Sequence, residues 1–190
     1  MDLRGASSEA LAALTERLDD ATSSSRAAAT LGDELFTVSR LFRTEAGLRR
    51  FATDASLPAE AKQGMIEQVF EGRVGKATHD LLVDAVGRRW TLSRDLPDVL
   101  ERLSEIAVVR SAGAKADRVT DELFGLSQVI DGDPALRDTL SDPARSVDDK
   151  AGLLGSLLEG KALPATVTLA KQGLAGTYRT MTNALTTYRH

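Results

Sequence analysis

The sequence predicts an all-α fold built from two tandem antiparallel helical bundles joined through a shared long helix. Apolar residues recur at spacings of three and four, which is the periodicity of amphipathic helices. Aromatic residues make up only 4% of the chain, and a core of Leu, Ala, Val and Ile with few rings suits packed helices better than a β-sandwich. The sequence also repeats itself at an offset of 88 residues, and no alternating strand pattern is present.

The repeat begins with the tetrapeptide DELF, which occurs at residues 33–36 and again at 121–124. With the same offset and no gap, 15 of the 49 positions in residues 33–81 are identical to their counterparts. The identical pairs include Ser39 with Ser127. One register kept over such a length indicates an internal duplication, which has to be recognised before any other motif is interpreted.

Residues that begin or end helices fall between the apolar stripes. Asp133-Pro134 supplies an N-cap followed by proline at the first helical position. Ser146 begins a segment that resembles a capping box, with Asp149 in the place of the usual Glu. Gly72 and its counterpart Gly160 lie where the C-terminus of a helix needs a left-handed residue. Each copy is therefore predicted to contain several short helices.

The offset also sets the predicted domains. It places residues 96–113 on residues 8–25, so we expect one helix over 95–112 that closes the first bundle and opens the second. The predicted domains are then 1–112, a six-helix bundle, and 113–190, a second and incomplete copy of it.

Composition excludes several classes of function. The chain has no Cys and two His residues, and it carries a net charge of −4. An acidic chain without a basic face argues against nucleic-acid binding. No apolar run approaches the roughly 20 residues of a membrane helix, so direct membrane insertion is not expected. The N-terminal segment lacks the apolar core of a signal peptide.

No motif supplies a catalytic or metal-binding constellation. His79 and His190 are far apart, and the HExxH pattern is absent. The stretch GRVGKAT at 72–78 lacks the first glycine of a phosphate loop and has Ala77 after its lysine. We therefore predict no catalytic residue, no metal and no cofactor, and expect a binding or scaffolding role in which an amphipathic partner helix lies in an apolar groove.

Three segments carry a resemblance to a known family. They are DELFTVSRLFRTEAGLRRFATD, LPAEAKQGMIEQVFEGRV and LLVDAVGRRWTLSRDLPDVLERL, and they follow one another between residues 33 and 103. Their order and spacing resemble the δ subunit of bacterial F-type ATP synthase, which is equivalent to the oligomycin-sensitivity-conferring protein of mitochondria. The duplicated bundle resembles the actinobacterial form of that subunit, and the resemblance extends over residues 8–178.

The resemblance implies a non-catalytic stator subunit of the peripheral stalk. Such a subunit links the top of the catalytic head to the stalk, so that proton-driven rotation is coupled to ATP synthesis. It would be a peripheral protein on the cytoplasmic face of the bacterial plasma membrane. The alternative is a generic helical adaptor that binds an amphipathic helix of another complex. A third interpretation, an enzyme with an unrecognised site, has no motif in its favour.

The resemblance also implies a binding site. In the family, the N-terminal bundle binds the N-terminal segment of an α subunit between its first and fifth helices, which correspond to residues 8–22 and 76–90. The candidate groove residues are Leu11, Leu14, Leu18, Leu82, Val83 and Val86. The alternative role for each of them is packing in the core of the bundle.

One departure from the family concerns its C-terminal portion, which carries a Gly-Gly … Gly-Asp … Asp-Gly-Ser … Arg-Leu signature. This chain ends in TYRH, where that portion would begin. In the family, the C-terminal portion holds the b subunits of the peripheral stalk. We therefore expect a truncated form in which the contact with b subunits is lost.

Overall fold

A computed structural model describes residues 3–175, which form ten α-helices and one short 3-10 helix. The first six helices are α1 (Ala6–Ala21), α2 (Ser25–Thr44), α3 (Ala46–Thr53), α4 (Ala59–Phe70), α5 (Lys76–Gly87) and α6 (Asp95–Ser111). After the 3-10 helix Gly113–Lys115 come α7 (Ala116–Gly132), α8 (Pro134–Ser141), α9 (Val147–Leu158) and α10 (Pro164–Ala175). Residues 3–175 contain no strand, which confirms the predicted all-α class.

The chain divides into two compact units, residues 1–107 and 108–190. This boundary falls inside α6, five residues before the predicted boundary at 112, and the last fifteen residues of the second unit lie outside the described range. Side chains of α6 from Leu96 to Ala107 belong to the first core, and Val108 belongs to the second. The helix predicted over 95–112 is therefore present as α6.

The first unit is organised around a core of leucines and other apolar residues from α1 to α6. Its fully buried members include Leu14, Leu18, Leu31, Leu35, Phe42, Ile66, Leu82, Leu96, Leu100 and Leu103. Burial of each such side chain stabilises the fold by about 1.5–3 kcal/mol relative to exposure. The second unit has a core of its own, which includes Val119, Leu123, Leu126, Ile130, Leu140, Leu154 and Leu169.

The predicted helix ends are confirmed by local geometry. The Asp133 side chain accepts a hydrogen bond from the backbone N–H of Leu136 at 3.0 Å, and Pro134 is the first residue of α8. Ser146 caps α9 by accepting from the N–H of Asp149 at 3.0 Å. Gly72 and Gly160 have φ values of 69° and 67°, the left-handed conformation that glycine adopts without steric cost.

The fifth helix is shorter than predicted. It was expected over 76–90, but α5 ends at Gly87 and Trp90 follows outside the helix. The Trp90 indole N–H donates to the carbonyl oxygen of Ala85 at 3.0 Å, so a side chain satisfies a carbonyl in the last turn. Glycine is a poor helix former, which favours the end of the helix at this position.

A glutamate of α2 fixes the start of α5. The Glu34 carboxylate accepts a hydrogen bond from the backbone N–H of Gly75 at 3.0 Å and another from the Thr78 hydroxyl. Gly75 immediately precedes α5 and Thr78 lies in its first turn. A carboxylate at this end also complements the positive end of the helix dipole. The acidic residue of the first DELF motif thus connects two helices that are distant in sequence.

The second unit contains the same contact at the 88-residue offset. Glu122 of α7 accepts from the N–H of Leu163 at 2.8 Å and from the Thr166 hydroxyl at 2.5 Å, where α10 begins. The DELF glutamate therefore caps α5 in the first unit and its counterpart α10 in the second. This geometry supports the inferred duplication, because an equivalent residue performs an equivalent role in each copy.

We predict that Glu122→Ala destabilises the second unit by about 1–2 kcal/mol, because the first turn of α10 loses its acceptor. Amide hydrogen exchange of α10 measures this loss. The matched variant Glu34→Ala should act on the first unit and lower the unfolding midpoint reported by Trp90, the single tryptophan of the chain. Unchanged exchange of α10 in the Glu122 variant would contradict the capping role.

The same carboxylate predicts a dependence of stability on pH. Partial burial raises the pKa of Glu122, but hydrogen bonds from Thr166 and Leu163 and the charge of Arg118 outweigh it and hold that pKa below the ordinary value of 4.5. A pKa that is lower in the folded state gives stability above pH 4.5, and this stability is lost as the pH falls through the folded pKa. We predict that the free energy of unfolding of Glu122→Gln, measured in urea, falls less on acidification than that of the unmodified chain.

Candidate functional site

The candidate surface lies where α1 packs against α5 in the first unit. Four of the six predicted residues, Leu14, Leu18, Leu82 and Val86, are fully buried with 0% exposure. The other predicted residues, Leu11 and Val83, are partly buried and pack against the same core. The structure therefore brings all six into one apolar cluster, but only Leu11 and Val83 present any surface to a partner.

The difference in burial between these two groups of residues follows from the helical spacing. Leu14 and Leu18 are four residues apart and share the inward face of α1, while Leu82 and Val86 do the same on α5. These four form the core on which the α1–α5 packing depends. A partner that approaches the closed bundle meets Leu11 and Val83 first.

An ionic bridge connects α1 and α5 beside this cluster. The Asp84 carboxylate lies 3.3 Å from Nε of Arg17 on α1 and 3.0 Å from Nη2 of Arg88. The Arg17 side chain is 57% exposed, so its pairing contributes at most about 1 kcal/mol. Sequence reasoning missed this bridge. The i, i+4 spacing of Asp84 and Arg88 could have predicted their ion pair, but nothing in the sequence pointed to Arg17.

A buried polar network anchors the start of α1. The Ser7 hydroxyl donates to the Asp95 carboxylate at 2.6 Å and accepts from the N–H of Thr91 at 2.8 Å. Thr91 in turn donates its hydroxyl to the carbonyl of Arg4 at 2.8 Å, and Asp95 accepts from the N–H of Leu92 at 3.1 Å. The start of α1 is thereby tied to the loop that follows α5, which fixes the position of α1 beside that helix.

A separate pocket of about 570 Å³ lies on another face of the first unit. It is bordered by α2, the end of α4 and the turn before α5, with Phe36, Leu41 and Val69 among its apolar lining residues. Arg40 and Arg73 contribute its basic groups. This pocket does not include any of the six predicted residues.

Within residues 3–175, no group of three or more His, Asp or Glu side chains is arranged to hold a metal ion. None of the helices in that range combines the length and apolar character required to cross a membrane.

Comparisons with known proteins bear on the identity of the chain. No family model matches it. It is 46% identical over 188 residues to ATP synthase subunit delta of a Nocardioides species, covering 98% of this chain and 68% of that protein. The chain belongs to the ATP synthase subunit delta family. Proteins of the same name from Kineococcus radiotolerans and Streptomyces griseus are 38% and 40% identical, over 88% and 86% of this chain.

Family membership confirms the resemblance stated from the sequence, including its actinobacterial character. It also confirms the prediction of a non-catalytic subunit with a role in the stator of the F-type ATP synthase. The chain spans between 62% and 68% of the length of these three relatives. The contacts of the complete subunit with its neighbours are therefore treated as proposals.

Two substitutions on α5 should differ in their effect on stability, because the side chains they replace differ in burial. We predict that Leu82→Asp destabilises the first unit by about 3–5 kcal/mol, because it removes a buried apolar side chain and introduces an unpaired charge. Val83→Asp should change stability by no more than about 1 kcal/mol, because Val83 already reaches the surface. Urea unfolding followed by Trp90 fluorescence distinguishes the two, and equal destabilisation would contradict this placement of the residues.

Proposed function

We propose that this chain works as a stator joint that holds the catalytic head of an F-type ATP synthase against rotation. The observation that carries the proposal is the 46% identity to an ATP synthase subunit delta over 98% of the chain. A stator carries no chemistry of its own. It has to hold its neighbours in place while torque acts on the head.

The first unit has the physical properties that such a joint requires. Its helices share one core with many side chains at 0% exposure, and close-packed interiors deform little under load. The network of Ser7, Thr91 and Asp95 and the cap formed by Glu34 hold α1 and α5 by polar contacts at their N-terminal ends. These features support a rigid platform with α1 and α5 as its outer face.

We place the N-terminal segment of the α subunit on the α1–α5 surface. Leu11 and Val83 would contact the apolar face of an amphipathic helix, and Leu14, Leu18, Leu82 and Val86 would support them from the core. Arg17 would lie at the charged edge of the site. A long-lived joint with a dissociation constant near 1 nM requires about −12 kcal/mol of binding free energy, so a few well-packed anchors have to carry most of it.

The remaining proposed contacts, with the membrane-bound part of the enzyme and with the b subunits, form in the assembled ATP synthase. We assign the chain to the cytoplasmic face of the plasma membrane, where it is held through its partners. Binding of the b subunits would depend on the C-terminal portion of the complete family protein. This division predicts that a soluble b dimer does not bind residues 1–190 tightly.

Calorimetric titration of the chain with a peptide of the α subunit's N-terminal segment tests the proposal, with a scrambled peptide as control. We expect saturable one-to-one binding to the authentic peptide alone. A folded chain that binds neither peptide would contradict the proposed joint and leave the helical-adaptor alternative.

We predict that Leu11→Asp and Val83→Asp each weaken binding of the α-subunit peptide by roughly 10-fold or more, because a carboxylate would have to be desolvated at an apolar contact. Calorimetry measures the affinity, and circular dichroism verifies the fold. Val129→Asp, which changes a valine that is 51% exposed on α7, is the matched control and should leave the affinity unchanged. Equal affinities for all three variants would remove Leu11 and Val83 from the site.

A further inference from the structure

The pocket of about 570 Å³ beside α2 in the first unit has an apolar floor that belongs to the core. Phe36, Val38 and Phe70 form this floor and are between 2% and 9% exposed. The ring of Phe70 lies against that of the fully buried Phe42, with 6.1 Å between the ring centroids. Because close-packed core residues deform little, the floor is in place before any ligand arrives.

A hydrogen-bonded contact ties α2 to the turn that borders the pocket. Glu34 of α2 lines the pocket and accepts from the backbone N–H of Gly75, with its two carboxylate oxygens at 3.0 and 3.1 Å from that nitrogen. Arg73 and Val74, which also line the pocket, immediately precede Gly75 in the chain. A site whose walls are already held in place loses less free energy to ordering when a ligand binds.

The side-chain donors that remain available at the rim of the pocket belong to two arginines. The hydroxyls of Thr37 and Thr44 also line the pocket, but they donate to backbone carbonyls of α2 at 3.0 and 3.2 Å. Arg40 and Arg73 are exposed, and within residues 3–175 neither guanidinium takes part in a hydrogen bond or an ion pair. A guanidinium carries five N–H donors and can bind one carboxylate through two of them.

The charges around the pocket favour an anion. Among the residues that the structure describes around it, Glu34 is the one acidic side chain, and its carboxylate is engaged at the start of α5. Two arginines and one glutamate leave the lining with one net positive charge, which a ligand with one negative charge balances. The apolar floor requires in addition that this ligand has an apolar body.

The duplication shows that the fold does not require this arrangement of charge. At the 88-residue offset the apolar character of the floor is kept, with Leu158 of the second core in the place of Phe70. Arg40, by contrast, corresponds to Gln128. Since the second unit folds with an uncharged residue at this position, packing does not explain the arginine of the first unit.

We propose that this pocket binds a free amphiphilic carboxylate, a molecule with a single alkyl chain and one carboxylate group, in the manner of a fatty acid monomer. The alkyl chain lies on the apolar floor, and Arg40 and Arg73 hold the carboxylate at the rim. The lining on α2 runs from Glu34 to Thr44, which is about 15 Å of helix and accommodates a chain of medium length. The pocket contains none of the six residues assigned to the α subunit, so this proposal does not depend on the stator joint.

Amide chemical shifts of the isotopically labelled full chain test the site. The probe is decanoate, kept below the concentration at which it forms micelles. Decyltrimethylammonium is the control with the same chain and the opposite charge, and acetate is the control for the head group alone. We expect saturable shifts at Phe36, Val69 and Val74 with decanoate, and binding weaker by about 10-fold or more with either control. Equal binding of the cation or of acetate, or decanoate shifts centred outside the pocket, would overturn the proposal.

Two variants test the arginines. Arg40→Gln and Arg73→Gln should each weaken decanoate binding by roughly two- to tenfold, because each removes one cation from the carboxylate site. Circular dichroism verifies that these variants keep the fold. Arg50→Gln, a change at an exposed arginine of α3 outside the pocket, is the matched control and should leave the affinity unchanged. If all three variants bind decanoate equally well, the two arginines do not hold the carboxylate and the proposal fails.

Competition with the α-subunit N-terminal peptide separates this site from the proposed joint. We expect decanoate to stay bound when the peptide is added, because the peptide is assigned to α1 and α5. Displacement of decanoate from the pocket by the peptide would identify a protein-binding groove and overturn the proposal. A chain that binds decanoate in the pocket but does not bind the peptide would support this proposal and contradict the stator joint.

Discussion

The packing of α1 against α5 is the constraint on which the first unit depends. Leu14 and Leu18 from α1 meet the core that contains Leu82 and Val86 from α5, and all four are withdrawn from water. The same two helices are proposed to receive the α-subunit segment. Neighbouring side chains of these helices therefore serve both the stability of the bundle and the binding of its partner. The buried residues hold the helices together, while Leu11 and Val83 reach the surface. A partner that added its apolar face there would extend the core outward.

Polar contacts position these helices, and the duplication shows which contacts the fold retains. The DELF glutamate caps α5 in the first unit and α10 in the second, and in both units a serine hydroxyl donates to the carbonyl three residues earlier. The ion pair of Arg43 with Asp98 and Glu101 belongs to the first unit, and Asp131 stands in the place of Arg43 at the 88-residue offset. The glutamate that caps the helix is thus present in both units, whereas the arginine of this ion pair is not.

Local features of the fold could be predicted from the sequence and tertiary ones could not. The caps at Asp133 and Ser146 and the left-handed glycines 72 and 160 depend on neighbouring residues, so their patterns were sufficient. The hydrogen bond from the Trp90 indole to the last turn of α5 is a contact that periodicity does not reveal. The family resemblance indicated Leu82 and Val83 as groove residues but not the depth of each. The pairing of Arg17 with Asp84 likewise required the helices to be in place.

We propose that α1 and α5 together form the surface that holds the α subunit. The most direct measurement is the change in amide chemical shifts of the isotopically labelled chain as the α-subunit N-terminal peptide is added. We predict shifts concentrated on α1 and α5, centred on Leu11 and Val83, with the second unit unaffected. Shifts centred on the pocket beside Phe36 and Val69, or on α7 and α9, would contradict it.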